Sequence, residues 1–247
     1  MIIDTHEHLG RSRFTGHETT EDSLRTAMDR YHVDAALVLP QATLDAASAQ
    51  HDLIATAVEN SQGKLIGVAS ICPWVGEDAY WAEARRTVEG MGFVGLKLDT
   101  SGHGIAPNSG PARVVFECAK TLGVPVIVHT GTAIPNGLPA LCIPVARDFP
   151  SVPLIMAHAG FAVYAPEALV AAQVADNLYV EPSWCAEYQV REFVRVLGAE
   201  RVLFGSDHLE NIPVQLEKFR QAELTPSQWD TIFDRNPRFL FNLSFQQ

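Results

Sequence analysis

Eight short runs of apolar, β-branched residues recur along the chain about every 30 residues, and nothing else in it limits the fold so sharply. They are "MIID" at the start, "AALVLP" (35–40), "LIGVASIC" (65–72), "FVGLKLD" (93–99), "VPVIVHT" (124–130), "VPLIMAHA" (152–159), "NLYVEPS" (177–183) and "RVLFGSD" (201–207). Each is continuous rather than alternating, as strands buried on both faces of a parallel sheet are. Helical periodicity fills the intervals. In the first of them Thr19 or Thr20 can cap, Glu21 and Asp22 suit the positive end of the helix dipole, and Leu24, Ala27, Met28 and Tyr31 share one face. Further helices are expected over 45–60, 77–89, 110–122, 138–148, 165–175, 187–197 and 212–222, with Gly123 and Gly198 placed to end two of them. Eight strand–helix units point to an α/β fold, a closed (β/α)8 TIM barrel, because open doubly wound sheets usually stop at five or six strands.

A chain of 247 residues with 47% hydrophobic content suits one such barrel, so residues 1–247 are expected to form a single domain. The net charge of −11 and the lack of a basic, aromatic-interleaved cluster argue against nucleic acid as a partner. Cys72, Cys118, Cys142 and Cys185 form no CxxC pair and are expected to be reduced, buried thiols. No basic-then-apolar leader and no apolar stretch of about 18–20 residues is present, so no membrane association is expected and a cytoplasmic location is.

The histidines give the barrel its chemistry. In "IIDTHEHLG" His6 and His8 are two residues apart at the end of the first strand, so both side chains can aim into the barrel mouth. His129 and His158 end the fifth and sixth strands, and Asp207 in "FGSDH" ends the eighth. Active sites of such barrels are built from strand ends at the C-terminal face, so these five residues are expected to converge. Neutral imidazoles and a carboxylate are good ligands for zinc and similar ions, and three or four of them with one place left for water make a catalytic site. His17, His32, His51 and His103 are assigned to solvent or structure, and His208 is expected to point away from the side that Asp207 faces.

"DTHEH", "VIVHTG", "IMAHAG", "LFGSDH" and the late "NPRFLF", taken in order, resemble the amidohydrolase superfamily. Within it the chain is most similar to the amidohydrolase-related branch of metal-dependent hydrolases and aminocarboxymuconate-semialdehyde decarboxylase-like enzymes, from Met1 to about Leu243. The resemblance implies that His6, His8, His129 and Asp207 approach one divalent metal ion, zinc first and manganese or iron as alternatives, with a second ion in some relatives. Asp207 would also act as the base, and His158 would polarise the substrate carbonyl. Lys97 stands where binuclear relatives carry a bridging carboxylated lysine. The reading favoured for it here is an ammonium that holds an anionic substrate group, with a salt bridge to Glu181 or Asp99 as the remaining alternative. Glu181 and Trp184, after the seventh strand, are candidate polar and aromatic walls of the substrate pocket. The helix at "NPRFLF" is expected to close against the barrel with Phe239 and Leu240 buried.

The implied activity is hydrolysis of a small-molecule amide, ester or lactone by activated water at the barrel mouth. The alternative is a lyase, a non-oxidative decarboxylase of a small unsaturated or aromatic carboxylic acid, for which Arg11 and Arg13 are the only arginine pair near a strand end. A TatD-like metal nuclease shares "DTHxH" but usually has a glutamate in place of Lys97, and the charge of −11 opposes DNA. Short loops leave the mouth open unless a second subunit covers it, and the resemblance allows a homodimer.

Overall fold

A computed structural model of the chain describes residues 1–13, 16–131 and 135–245. Every apolar run contributes to one ring of parallel strands. β1 (Ile3–Arg11) carries at its far end a short antiparallel partner, β2 (Glu18–Thr19), and pairs on its other side with β3 (Ala35–Pro40). The run 65–72 splits at Val68 into β4 (Leu65–Gly67), which pairs with β3, and β5 (Ala69–Ser70), which pairs with β6 (Leu96–Leu98). From there β7 (Val126–His129), β8 (Leu154–Ala157) and β9 (Leu178–Glu181) follow in order.

Residues 202–207 fill the eighth place without forming a regular strand. Leu203 donates to the Val180 carbonyl on one side, while Thr5 donates to Phe204 O and Asp207 to His6 O on the other. Isolated parallel bridges, Val180 to Val202 and Glu7 to Asp207, mark the same closure. The expected (β/α)8 barrel is therefore the architecture.

The outer layer is α1 (Glu21–Tyr31), α2 (Ser48–Asn60), α3 (Glu77–Arg85), α4 (Arg113–Leu122), α5 (Cys142–Asp148), α6 (Phe161–Val174), α7 (Glu187–Leu197) and α8 (Ile212–Gln221), followed by α9 (Pro226–Asp230) and α10 (Asn236–Leu240). Thr20 caps α1 by accepting from Ser23 N–H at 3.2 Å. The α6 helix starts four residues before the expected 165, even though Pro166 then lies inside it. Proline leaves the Ala162 carbonyl without its intrahelical donor, and the Gln189 amide from α7 supplies one at 2.8 Å. No helix is long and apolar enough to cross a membrane among the described residues, and all four cysteines are buried free thiols.

Two apolar clusters hold the layers together. The larger packs helices on the outer face of the ring. The smaller fills the barrel from Ile3, Leu37, Leu39, Ile127, Ile155 and Leu203 and is closed by Leu240 and Phe241. One expectation fails here: Phe239 is 80% exposed, and Phe241 is the aromatic residue that enters the core. The helix is fixed instead by Asn236, whose amide donates to Ala199 O at 2.8 Å and Val202 O at 2.7 Å.

His51 is structural, as expected. Its Nδ1–H faces Glu83 Oε1 at 2.6 Å, and its Nε2 accepts from Ser70 N–H at 3.1 Å, tying α2 to α3 and to β5. Burial, only partly offset by Glu83, holds the ring below its ordinary pKa of 6.5, so it stays neutral in the folded chain. The unfolded chain takes up that proton first. Stability from this ring is thus complete above pH 6.5 and is lost as the pH falls from there toward the folded value. His51→Ala is expected to cost about 3 kcal/mol, by leaving Glu83 and the Ser70 amide short of partners, and to flatten the pH dependence in that window. Urea midpoints at several pH values check both.

Candidate functional site

The order of β1 determines what reaches the mouth. Register between β1 and β3 shifts between Asp4 and Glu7, from Asp4 opposite Ala36 to Glu7 opposite Val38, so β1 holds one extra residue there. That bulge reverses the alternation. Ile3 lies in the inner core, and His6 and His8 still meet the inward-facing groups of other strands, although the odd spacing from Ile3 would put them outside.

His6 and His8 present the same nitrogen to one point. His6 Nδ1–H donates to Glu181 Oε2 at 3.0 Å, and His8 Nδ1–H to the Pro40 carbonyl at 3.1 Å, so both rings turn an unprotonated Nε2 to the site, that of His6 within 3.0 Å of Lys97 Nζ. Asp207 Oδ1 lies 3.6 Å from His6 Nε2 and 3.5 Å from His8 Nε2. These three residues form a group whose donor atoms all lie within 4.8 Å of one another. Two imidazole nitrogens and a carboxylate with fixed tautomers are a fitting donor set for a divalent ion.

A second group of the same compactness, His6, His158 and Glu181, is already occupied by hydrogen bonds. Ser183 donates through its N–H to Glu181 Oε1 at 2.6 Å and through its hydroxyl to Oε2 at 3.0 Å. The Ser183 oxygen therefore accepts from His158 Nδ1–H at 2.8 Å. This group supports the first one. It also corrects one expectation. Glu181, 1% exposed, stands behind His6 and orients it rather than lining the pocket. His158 Nδ1 meets the Ser183 hydroxyl at 2.8 Å, which fixes the ring beside His6.

Lys97 lies inside the barrel, 1% exposed, with Nζ 3.0 Å from His6 Nε2. Burial lowers its pKa, and the charges of Asp99, Asp207 and Glu181 resist that shift. Burial, reinforced by Lys97, also pushes His6 well below its ordinary value, and burial does the same to His158. Asp207 goes the other way: burial raises its carboxyl, but the imidazoles of His158, His6 and His8 outweigh it and hold it well below the carboxylate range. Burial thus favours neutral rings at His6 and His158 beside an ionised Asp207.

His129 stands beside His158, ring centroids 4.8 Å apart, and outside both compact groups. Burial lowers its pKa against the charge of Asp99. His208 does not point away. Asp207 has a left-handed backbone, φ 69°, which ends the strand's alternation, so His208 Nε2 lies 3.6 Å from Asp207 Oδ2 and its ring is 6.3 Å from that of His8. Arg13, from the pair after HxH, donates to Gly102 O at 2.5 Å and so reaches the loop beyond β6.

Aromatic rings border the mouth. Phe161 lies 4.8 Å from His158 and is nearly parallel to Trp184, at 13° and 6.4 Å between centroids. Residues 158–161 all have positive φ, a turn held against Gly131, where a Cβ would come within 2.3 Å of the Phe161 ring. Gly205 makes room in the same way for Glu181, whose Cδ would lie 2.7 Å from an added Cβ. Glycines in "HTG" and "FGSD" were the sequence's marks of these close approaches.

Outside the mouth, the end of β1 is tied to residues 202–207 by two more carboxyls. Ser206 Oγ lies 2.5 Å from both Asp4 Oδ2 and Glu7 Oε1. Two buried carboxyls that share one hydroxyl favour a protonated partner. Burial accordingly raises Asp4 to about 7 and Glu7 well above its ordinary value.

The amidohydrolase family model matches residues 3–243. The chain belongs to the amidohydrolase family. No curated protein matches it. Solved structures of the same fold are similar over nearly the whole length. The 5-carboxyvanillate decarboxylase of Sphingomonas paucimobilis aligns with a TM-score of 0.77 at 15% identity, over 98% of this chain and 99% of that one. The enzyme of that name from Novosphingobium aromaticivorans, complexed with manganese and 4-hydroxy-3-methoxy-5-nitrobenzoic acid, gives 0.78 at 15% over 98% and 96%. A probable 2-pyrone-4,6-dicarboxylic acid hydrolase from Acinetobacter baumannii, with citric acid bound, gives 0.72 at 16% over 98% and 99%.

Proposed function

We propose that the chain is a metal-dependent hydrolase of a small-molecule amide, ester or lactone, with one divalent ion, zinc or manganese, held by His6, His8 and Asp207 and completed by His129. The observation that carries this reading is the convergence of two oriented Nε2 lone pairs on one carboxylate oxygen at the barrel mouth. Bound there, such an ion lowers the pKa of water from about 15.7 toward 7 and so supplies the nucleophile.

The chain's own groups do the rest. Asp207 accepts the proton of the attacking water and returns it to the leaving group. Glu181 and the Pro40 carbonyl keep the two imidazoles from turning. His158, neutral with Nε2 unprotonated, accepts a hydrogen bond from the water or from a substrate N–H or O–H. Lys97 supplies the positive charge that favours an anionic substrate, and Phe161 with Trp184 forms the apolar wall.

Decarboxylation of a small unsaturated or aromatic acid is the second reading, favoured by the parallel Phe161 and Trp184 rings and by the fold shared with two carboxyvanillate decarboxylases. Release of labelled carbon dioxide, against incorporation of oxygen from labelled water into an acid product, separates the two.

Protein purified without a histidine tag or chelator is expected to hold about one equivalent of zinc or manganese by elemental mass spectrometry, and to regain it on add-back after chelation. Two equivalents would bring Lys97 and His158 into the ion's shell. No uptake even after add-back would overturn the metal-dependent reading.

A further inference from the structure

Asp207 and Trp184 meet across the mouth in an unusual way. The indole Nε1–H donates to Asp207 Oδ2 at 2.8 Å, while Oδ1 faces His6 and His8. Both residues adopt left-handed backbone, φ 64° at Trp184 and 69° at Asp207, a region that bulky side chains avoid. Such a conformation persists only where its surroundings over-determine it.

Those surroundings are visible. Lys218, from α8, donates to the Pro182 carbonyl at 2.6 Å, and Cys185 Sγ donates to His158 O at 3.3 Å. Ser183 is held twice by Glu181. The loop that carries Trp184 is thus anchored on either side of the strained residue, although the indole itself is 40% exposed. Packing alone does not explain this. An exposed tryptophan that served only as an apolar wall would need neither a strained backbone nor a directed N–H.

We infer that Trp184 is a positioning residue for Asp207: its indole N–H occupies Oδ2 and thereby turns Oδ1 toward the Nε2 atoms of His6 and His8. The inference rests on the metal-site reading for its consequence, because a carboxylate free to rotate is a poorer ligand than one held in place. The hydrogen bond itself does not depend on it.

The test compares Trp184→Phe and Trp184→Ala with the unaltered protein, each stripped of metal and titrated with Mn²⁺ while free Mn²⁺ is followed by electron paramagnetic resonance. Phenylalanine keeps a ring against Phe161 and removes only the N–H. A fall in Mn²⁺ affinity of about 10- to 100-fold, equal in both variants, is expected. A W184F protein that binds Mn²⁺ as the wild type does, with only W184A impaired, would show a wall and overturn the inference.

The metal-free protein gives an independent readout. Of the chain's four tryptophan indole signals in a ¹⁵N–¹H spectrum, the one missing from W184F is expected to shift in Asp207→Asn. An unmoved signal overturns the inference. Wild-type protein that takes up no Mn²⁺ overturns the metal reading instead, and the indole signal still decides the role of Trp184. Should W184F fail to fold, that signal is assigned by sequential methods in the wild type and read in the same way.

Discussion

His6→Ala protein is expected to retain almost no metal and to lose at least about 10³-fold in turnover. His6 is the residue on which the site's separate networks meet. Its Nδ1 donates to Glu181, and its Nε2 lies 3.0 Å from Lys97 Nζ and 3.6 Å from Asp207 Oδ1. Removing the ring also leaves a carboxylate and an ammonium buried without that partner, which adds a stability loss of about 3 kcal/mol. His8→Ala separates the two effects. Its Nδ1 binds only a backbone carbonyl, so metal and turnover should fall as far with a stability change nearer about 1 kcal/mol. Elemental analysis, thermal melts and turnover measured on both variants check this. Full activity in His6→Ala would remove the site assignment.

Asp207→Asn is expected to reduce turnover by about 10²–10⁴-fold while leaving the fold intact. The amide is nearly isosteric. What disappears is the charge and the proton-accepting capacity at Oδ1. In the wild type that carboxyl is held well below the ordinary carboxylate range, so the loss is of a working anion and not of a group already neutral. Turnover at saturating substrate, measured beside melting temperature, separates this outcome from simple unfolding. Wild-type kcat in the Asp207→Asn protein would remove Asp207 as the base.

Much of the barrel is legible because its strands are buried on both faces and therefore read as unbroken apolar runs, from "AALVLP" to "RVLFGSD". The polar residues at their ends are legible for the same reason, since a histidine behind such a run has few places to go but the mouth. What the sequence hid depends on backbone irregularity. Period-two alternation does not reveal the extra residue between Asp4 and Glu7, nor the positive φ at Asp207 that brings His208 in beside it.

Partner identity was hidden too. Glu181 is a pocket wall or a histidine anchor according to whether residue 205 has a side chain. In "NPRFLF" the hydrophobic pattern alone does not say which of Phe239 and Phe241 turns inward on a helix only five residues long.

The closure between β1 and residues 202–207 gives the site a place in time as well as in space. Residues of the candidate site come from the first strand and the last, so the carboxylate that faces His6 and His8 is about two hundred residues away along the chain. Local contacts cannot assemble it. A growing or refolding chain can lay down most of its strand–helix units in order while its chemistry stays absent, because the two ends meet at this seam only when the ring is complete. A complete site is thus a signature of the finished ring, because His6, His8 and Asp207 come together only across this seam.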